Sequence, residues 1–429
     1  MHFINSIKKL IPQSIKDNIK IINYKRKYKY KRSKIRNNKC VVLFLVSRTH
    51  IFSSVESVFT EANKNKEIDA YLIALPDRAN DKKNMDNSNV IDFCKNIAGE
   101  KAIDCYDSNG SFIDLRNFNP DYIFLGIPYN EEYPDGFTFN ELAEFSKLCF
   151  VPYGYGFLSG VVIETCFNLC LLSHISYLFA EGPVGNNYCR KKLYWFEKLE
   201  GQKVYSLGFP RFDFFSQTNV GFQAKQVKKI AYFPRWTTPE SEANGHEPSS
   251  FMLFKDKILD FAEKSPDYEI IIRPHPLLLY RFCQSGLLTQ DDLGRYRDRI
   301  QSIHNVTLDE SKDYRDALIS ADIMVTDYSS TIAEFLLTGR PVIYFGSGSN
   351  ISVEHKLLFK CLYYADSWEQ VEETISTLSL GNDYKYNERM KEVQRILKPN
   401  TASAGELIVN KLMEDWIVKK KNGLEKTKI

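Results

Sequence analysis

Two short polar blocks, each set at the end of an apolar run, carry the chemistry open to this chain. Arg273-Pro274-His275-Pro276 follows Ile270-Ile271-Ile272, and Thr326-Asp327-Tyr328-Ser329-Ser330 follows Ile323-Met324-Val325. An apolar run that stops abruptly at a polar edge is the pattern of a buried parallel strand. After the second block the spacing turns helical, with Ile332, Phe335 and Leu336 on one face. Gly339-Arg340-Pro341 then closes the helix and Val342-Ile343-Tyr344-Phe345 opens another strand. In a strand, turn, helix unit the turn lies where free amides and the helix dipole favour an anion, and Ser329, Ser330 and Thr331 bring three hydroxyls to that spot. A capping box over Thr331-Ile332-Ala333-Glu334 is the alternative reading of the same residues. Arg273 and His275 at a second strand end of the same sheet point to a shared crevice. His275, held between two prolines where the chain is stiff, reads as functional rather than as a strand-end histidine bonded to backbone.

The elements that must position these blocks follow from the alternation of patterns. Strands are expected at Val41 to Val46, Tyr71 to Leu75, Ala102 to Cys105 and Pro120 to Gly126, and helices at Val55 to Asn63, Val90 to Ala98 and Phe139 to Leu148. The glycine-rich Pro152-Tyr153-Gly154-Tyr155-Gly156 comes next, then strands near Ser173 to Ala180 and Lys203 to Leu207. Gly208-Phe209-Pro210-Arg211-Phe212-Asp213 reads as a crossing between domains. The pattern restarts at Lys229 to Phe233, followed by the polar loop that holds Arg235. A helix over Phe251 to Lys264, the two blocks, and a helix from Ser367 with a Ser367/Gln370 capping box complete the second half. The expected architecture is α/β: a basic segment over 1–39, a Rossmann-like domain over 40–207, a second over 208–400, and a C-terminal helix with a basic tail over 401–429.

Length and composition agree. At 429 residues the chain exceeds one ordinary core, and 43% apolar with 26% charged residues excludes wholesale disorder. Nine cysteines without CxxC pairs, mostly in apolar surroundings, suit buried thiols in a cytoplasmic protein rather than a disulfide framework. There is no run of transmembrane length. The formal net charge of +3 hides an uneven distribution: residues 1–39 hold thirteen Lys or Arg and one acid, Asp17, so the remainder is net acidic. Phe3, Ile7, Leu10, Ile11, Ile15, Ile19 and Ile22 fall at helical spacing before Tyr24-Lys25-Arg26-Lys27-Tyr28-Lys29-Tyr30-Lys31-Arg32. An apolar stripe beside cations and tyrosines suits the anionic inner leaflet of a membrane, and places the protein peripherally on its cytoplasmic face. A nucleic-acid partner would use the charge without the stripe and is not expected.

The ordered blocks Gly208 to Asp213, Lys228 to Trp236, Arg273 to Pro276 and Thr326 to Ser330 resemble those of the CDP-glycerol glycerophosphotransferase family, whose enzymes polymerise teichoic acids and related capsule polymers. The resemblance covers roughly residues 200–350, and four motifs in order are more specific than any one. It implies a GT-B fold, two Rossmann-like domains facing a central cleft, a CDP-linked donor, no cofactor and no metal, and a lipid-linked or polymer acceptor. It implies an essential role for His275, donor contacts from Ser329 and Ser330, and a ribose contact from Glu334. Arg273, Asp327 and Thr331 complete the expected donor set, with Arg235 and Arg211 adding charge; an interdomain salt bridge is the other reading of Arg211. The chain departs from the family at its His-Gly motif, whose histidine resembles a general base, because Tyr153-Gly154 stands there. A phenol with a pKa near ~10 is a poor base, so Glu164 and His50 are held beside Tyr153, while His174, just before a strand, reads as structural. Two other functions fit this departure: a GT-B glycosyltransferase using a sugar nucleotide in capsule, O-antigen or LPS assembly, and an inactive relative acting as a binding protein.

Overall fold

The computed structural model describes Ile19 and residues 38–425, apart from 159–160, 200–201, 218–226, 240–247, 312 and 399. The basic segment over 1–39 therefore lies, but for Ile19, Asn38 and Lys39, outside the described residues. The chain divides into two units: Met1–Gly156, Val162–Phe214 and Asn400–Ile429 form the first, and Phe157–Val161 with Phe215–Pro399 the second.

In unit 1 the strands are β1 (Cys40–Val46), β2 (Ile68–Ala74), β3 (Ala102–Asp104), β4 (Tyr122–Leu125), β5 (Lys147–Phe150), β6 (Ile175–Phe179) and β7 (Lys203–Tyr205), in the order β3-β2-β1-β4-β5-β6-β7. All pair in parallel. Every residue of β1 is buried, as a central strand covered on both faces requires. Helices α1 (Glu56–Lys64), α2 (Ser88–Ala98) and α3 (Pro183–Leu199) fill crossovers.

Unit 2 repeats the plan. Its strands β8 (Lys229–Phe233), β9 (Glu269–Ile272), β10 (Val306–Leu308), β11 (Ile323–Thr326), β12 (Val342–Phe345) and β13 (Tyr363–Ala365) run in the order β10-β9-β8-β11-β12-β13, again parallel. The crossovers include α4 (Phe251–Lys264), α5 (Gln290–Ser302), α6 (Thr331–Leu336) and α7 (Trp368–Ser379). Ser367 caps α7 by accepting from the Gln370 amide. Both orders are doubly wound, and the winding reverses between β1 and β4 in one unit and between β8 and β11 in the other. Ligand crevices form outside the carboxyl ends of strands at such reversals.

Three boundaries differ from the expected ones. The Gly208 to Asp213 stretch is not the crossing: the Asp213 carboxylate accepts from the Ala404 and Gly405 amides at 2.9 Å and from Ser57 Oγ at 2.7 Å. That bond set caps the last helix, α8 (Ala404–Glu425), and keeps both stretches in unit 1, so the chain divides after Phe214. Helix α8 is thus part of the first unit rather than a separate tail; its Trp416 is buried, and Lys147 Nζ meets Asp415 at 2.8 Å. The helix expected over Phe139 to Leu148 ends at Leu142, and Lys147–Phe150 is strand β5, pairing with β4. Short apolar runs cannot separate these states by periodicity alone.

Candidate active site

The two polar blocks and the loop after β8 all leave the carboxyl edge of the unit 2 sheet, at its reversal. Asp327 ties them together. Its buried carboxylate accepts from the Arg235 amide at 2.7 Å, the Ser250 amide at 2.8 Å, Ser250 Oγ at 2.9 Å and Ser249 Oγ at 3.2 Å. Burial pushes its pKa up to about 6, against the pull of those donors and of the Arg235 charge. Asp327 therefore has a scaffold role, joining the loop after β8 to the end of β11. Thr326 Oγ1 donates to Phe233 O at 2.7 Å and closes the same join.

Arg273 is likewise spent on the fold. Its guanidinium pairs with Asp309 at 2.6 Å and donates to Ser311 Oγ and O, bracing the loop after β10. Glu334 is buried and accepts from Tyr314 Oη at 2.5 Å. Ser330 is the N-cap residue of α6, in helical conformation and without a side-chain cap bond.

The same edge carries the exposed His275, Arg235, itself buried, against Tyr328, and a hydroxyl pair. His275 is exposed, its amide donates to Pro234 O at 3.1 Å, and its Nδ1 accepts from the Leu277 amide at 3.1 Å. That acceptor role puts the proton of the neutral ring on Nε2. Trp236 lies 6.2 Å from the imidazole, with the Arg281 guanidinium 5.7 Å from the indole on the same residue. The Arg235 guanidinium sits 5.0 Å over the Tyr328 ring, and the two line a small hollow with Leu158, Tyr344, Gly348, Asn350 and Ile351. Ser329 Oγ and Thr331 Oγ1 are 2.7 Å apart at the start of α6. Trp236 and Arg281 carried no expectation. An aromatic in a polar loop, matched by a cation on a helix 45 positions later, has no local sequence signal.

In unit 1 the loop after β1 carries Arg48 and His50. Arg48 pairs with Asp77 at 2.9 Å and with Glu132. Partial desolvation, then the Arg48 and Arg211 charges, hold the His50 imidazole below its ordinary pKa. Tyr153 Oη lies 3.0 Å from Tyr129 Oη, and burial together with Tyr129 drives its phenol well above the ordinary value. The phenol is thereby held protonated at neutral pH. Arg211 donates to Tyr153 O at 2.6 Å, a brace inside unit 1. Glu164 is exposed on the short helix Val161–Cys166, and His174 Nδ1 meets Cys170 O at 2.8 Å, closing its own helix as a structural residue does. Sequence reasoning missed Glu181, a buried carboxyl just past β6.

A sequence profile described as CDP-glycerol:poly(glycerophosphate) glycerophosphotransferase matches residues 177–414, more than half of the chain. The chain belongs to this family. The glycerophosphotransferase match takes in every unit 2 residue above except Leu158, with Arg211 and Glu181, and leaves out His50, Tyr153 and Glu164. The minor teichoic acid biosynthesis protein GgaB of Bacillus subtilis (strain 168) is 22% identical over 202 residues, covering 39% of this chain and 20% of that protein. The chain thus spans about a fifth of the curated relative that it matches. Among solved structures, the wall teichoic acid polymerase TagF superposes with a TM-score of 0.54 at 15% identity, covering 95% of this chain and 98% of that one. The UDP-GlcNAc 2-epimerase of Neisseria meningitidis, bound to UDP-GlcNAc, gives 0.53 at 15% identity, over 88% and 100%. At these identities the likeness is one of fold, the GT-B type built from two Rossmann-like domains.

Proposed function

We propose that this chain moves glycerol phosphate, or a related polyol phosphate, from a CDP-linked donor to a teichoic-acid-like or surface-polysaccharide acceptor, releasing CMP. The observation that carries the reading is the meeting of His275, the Arg235–Tyr328 pair and the Ser329–Thr331 hydroxyls at adjoining strand ends inside the family-matched stretch. The transfer breaks the bond from the moving phosphorus to the oxygen it shares with CMP, and negative charge grows on the departing phosphate. Fixed positive charge and N–H or O–H donors aimed there lower the barrier. Arg235 supplies the charge, His275 the Nε2 proton, and Ser329 and Thr331 hydroxyl donors. The acceptor hydroxyl must also lose a proton, and among the candidate bases His50 has a depressed pKa that keeps its imidazole neutral, and so able to take one, at neutral pH. No cofactor beyond the donor enters the scheme.

The test is nucleotide release by purified protein with a membrane or lipid-linked acceptor extract, comparing CDP-glycerol, CDP-ribitol and a panel of sugar nucleotides, with and without EDTA. CMP formed from a CDP-polyol, undiminished by EDTA and lost in His275→Ala, supports the proposal. Turnover of a sugar nucleotide alone would make the chain a glycosyltransferase, and no turnover with any donor would make it a binding protein. Attachment to the anionic inner leaflet through residues 1–39 belongs to the same proposal, since their charge and apolar stripe support it. Among the described residues no helix is long and apolar enough to cross a membrane. Cosedimentation with phosphatidylserine vesicles that is lost on deleting 1–37 checks the attachment.

A further inference from the structure

Just past β6 the chain turns through Glu181-Gly182-Pro183 into α3, and the Glu181 side chain is only 6% exposed. Its Oε2 has no hydrogen-bond partner among the described residues. Three glycines make room for what is packed here. A Cβ on Gly185 would stand 2.6 Å from Oε2 and 2.8 Å from Oε1, and one on Gly156 3.2 Å from Oε1. In return, a Cβ on Gly182 would stand 2.8 Å from the Tyr155 ring. Tyr155-Gly156 and Glu181-Gly182 therefore interlock, each pair offering a glycine to the other's side chain. The lock clamps the glycine-rich loop 152–156, whose Tyr153 carbonyl is also held by Arg211.

Charge has little support at this spot. The ionisable groups in its field are Tyr155 on the loop, Cys166 on the helix Val161–Cys166 and Cys189 on α3, all acids that Glu181 pushes upward. Burial raises the Glu181 carboxyl to about 8, with only the amides of Glu181 and Gly156 pulling the other way. At neutral pH it is therefore uncharged. Its ionisation would put an unpaired charge between Gly156 and Gly185.

We propose that Glu181 is a positioning residue: as an uncharged carboxylic acid it latches the 152–156 loop in the form that transfer requires, and its ionisation opens the latch. The activity arm rests on the proposed transferase reading; the latch itself does not. The experiment compares full-length wild type, Glu181→Gln and Gly185→Ala between pH 6 and 9. One readout is hydrogen exchange of peptides spanning 152–158, corrected for intrinsic rates; the other is the pH profile of CMP release. Wild type should lose loop protection and activity together above neutrality, whereas Glu181→Gln keeps both and is several-fold more active than wild type at pH 9. Gly185→Ala, which crowds the carboxyl without removing it, should loosen the loop at every pH. Superimposable exchange profiles for wild type and Glu181→Gln would overturn the latch. A pH-linked latch with superimposable rate profiles would overturn its role in transfer. A pH-linked latch in a protein that turns over no donor would likewise end that role and, separately, the transferase reading.

Discussion

Replacing Glu181 by Gln should change how the stability of unit 1 depends on pH, and the size of the effect follows from its burial. The carboxyl titrates at about 8 in the fold against 4.5 when free. Between these values the unfolded chain has released the proton and the folded chain has kept it, so unfolding free energy falls as pH rises, by about 1.4 kcal/mol per pH unit. Stability from this group is complete below pH 4.5 and lost as pH climbs through 8. From pH 5 to pH 7 the wild type should lose about 2.5 kcal/mol that Glu181→Gln does not lose, and the gap should level off above pH 8. The slope over pH 5 to 7 holds for any folded pKa above 7. Any constant offset from the amide cancels when the two pH values are compared. Urea unfolding read by hydrogen exchange of the Ile175–Phe179 amides reports unit 1 by itself. Parallel stability profiles for the two proteins over pH 5 to 7 would refute the reasoning, because Glu181 would then be ionised in the fold.

Asp327→Ala should destabilise unit 2 by roughly 3 kcal/mol or more in thermal or urea unfolding, since it strands the buried Arg235 and Ser250 amides and takes one bond from each of two serine hydroxyls. With His50 as base, the acid limb of the rate profile should fall below pH 6.5, because the depressed imidazole stays neutral there, and His50→Gln should abolish that limb along with most turnover. Tyr153→Phe should keep turnover within a few-fold of wild type while costing about 0.5–1.5 kcal/mol of stability, the worth of its bond to Tyr129. A large loss of rate with no shift in melting would return Tyr153 to the chemistry.

Features that depend on neighbouring residues were legible in the sequence. Apolar runs stopping at Arg273 and Thr326 announced buried parallel strands, and the restart at Lys229 announced a second α/β unit, because a strand covered on both faces must be apolar throughout. The Ser367 cap was readable because its acceptor and the Gln370 amide are three residues apart. The fate of the polar residues was not readable, since each depends on a partner that only the fold brings near. Asp327 is taken by Ser250, 77 positions away, Glu334 by Tyr314, and Arg273 by Asp309. Asp213 caps a helix that begins 191 positions later, which moved the domain boundary. Glu181 looks like an ordinary turn acid until the glycines at 156 and 185 close around it. The sequence by itself determined where strands end and which residue types stand at those ends. Tertiary structure alone decided which of these are spent on the scaffold and which remain for chemistry, because a buried polar group must find its partner wherever in the chain that partner lies.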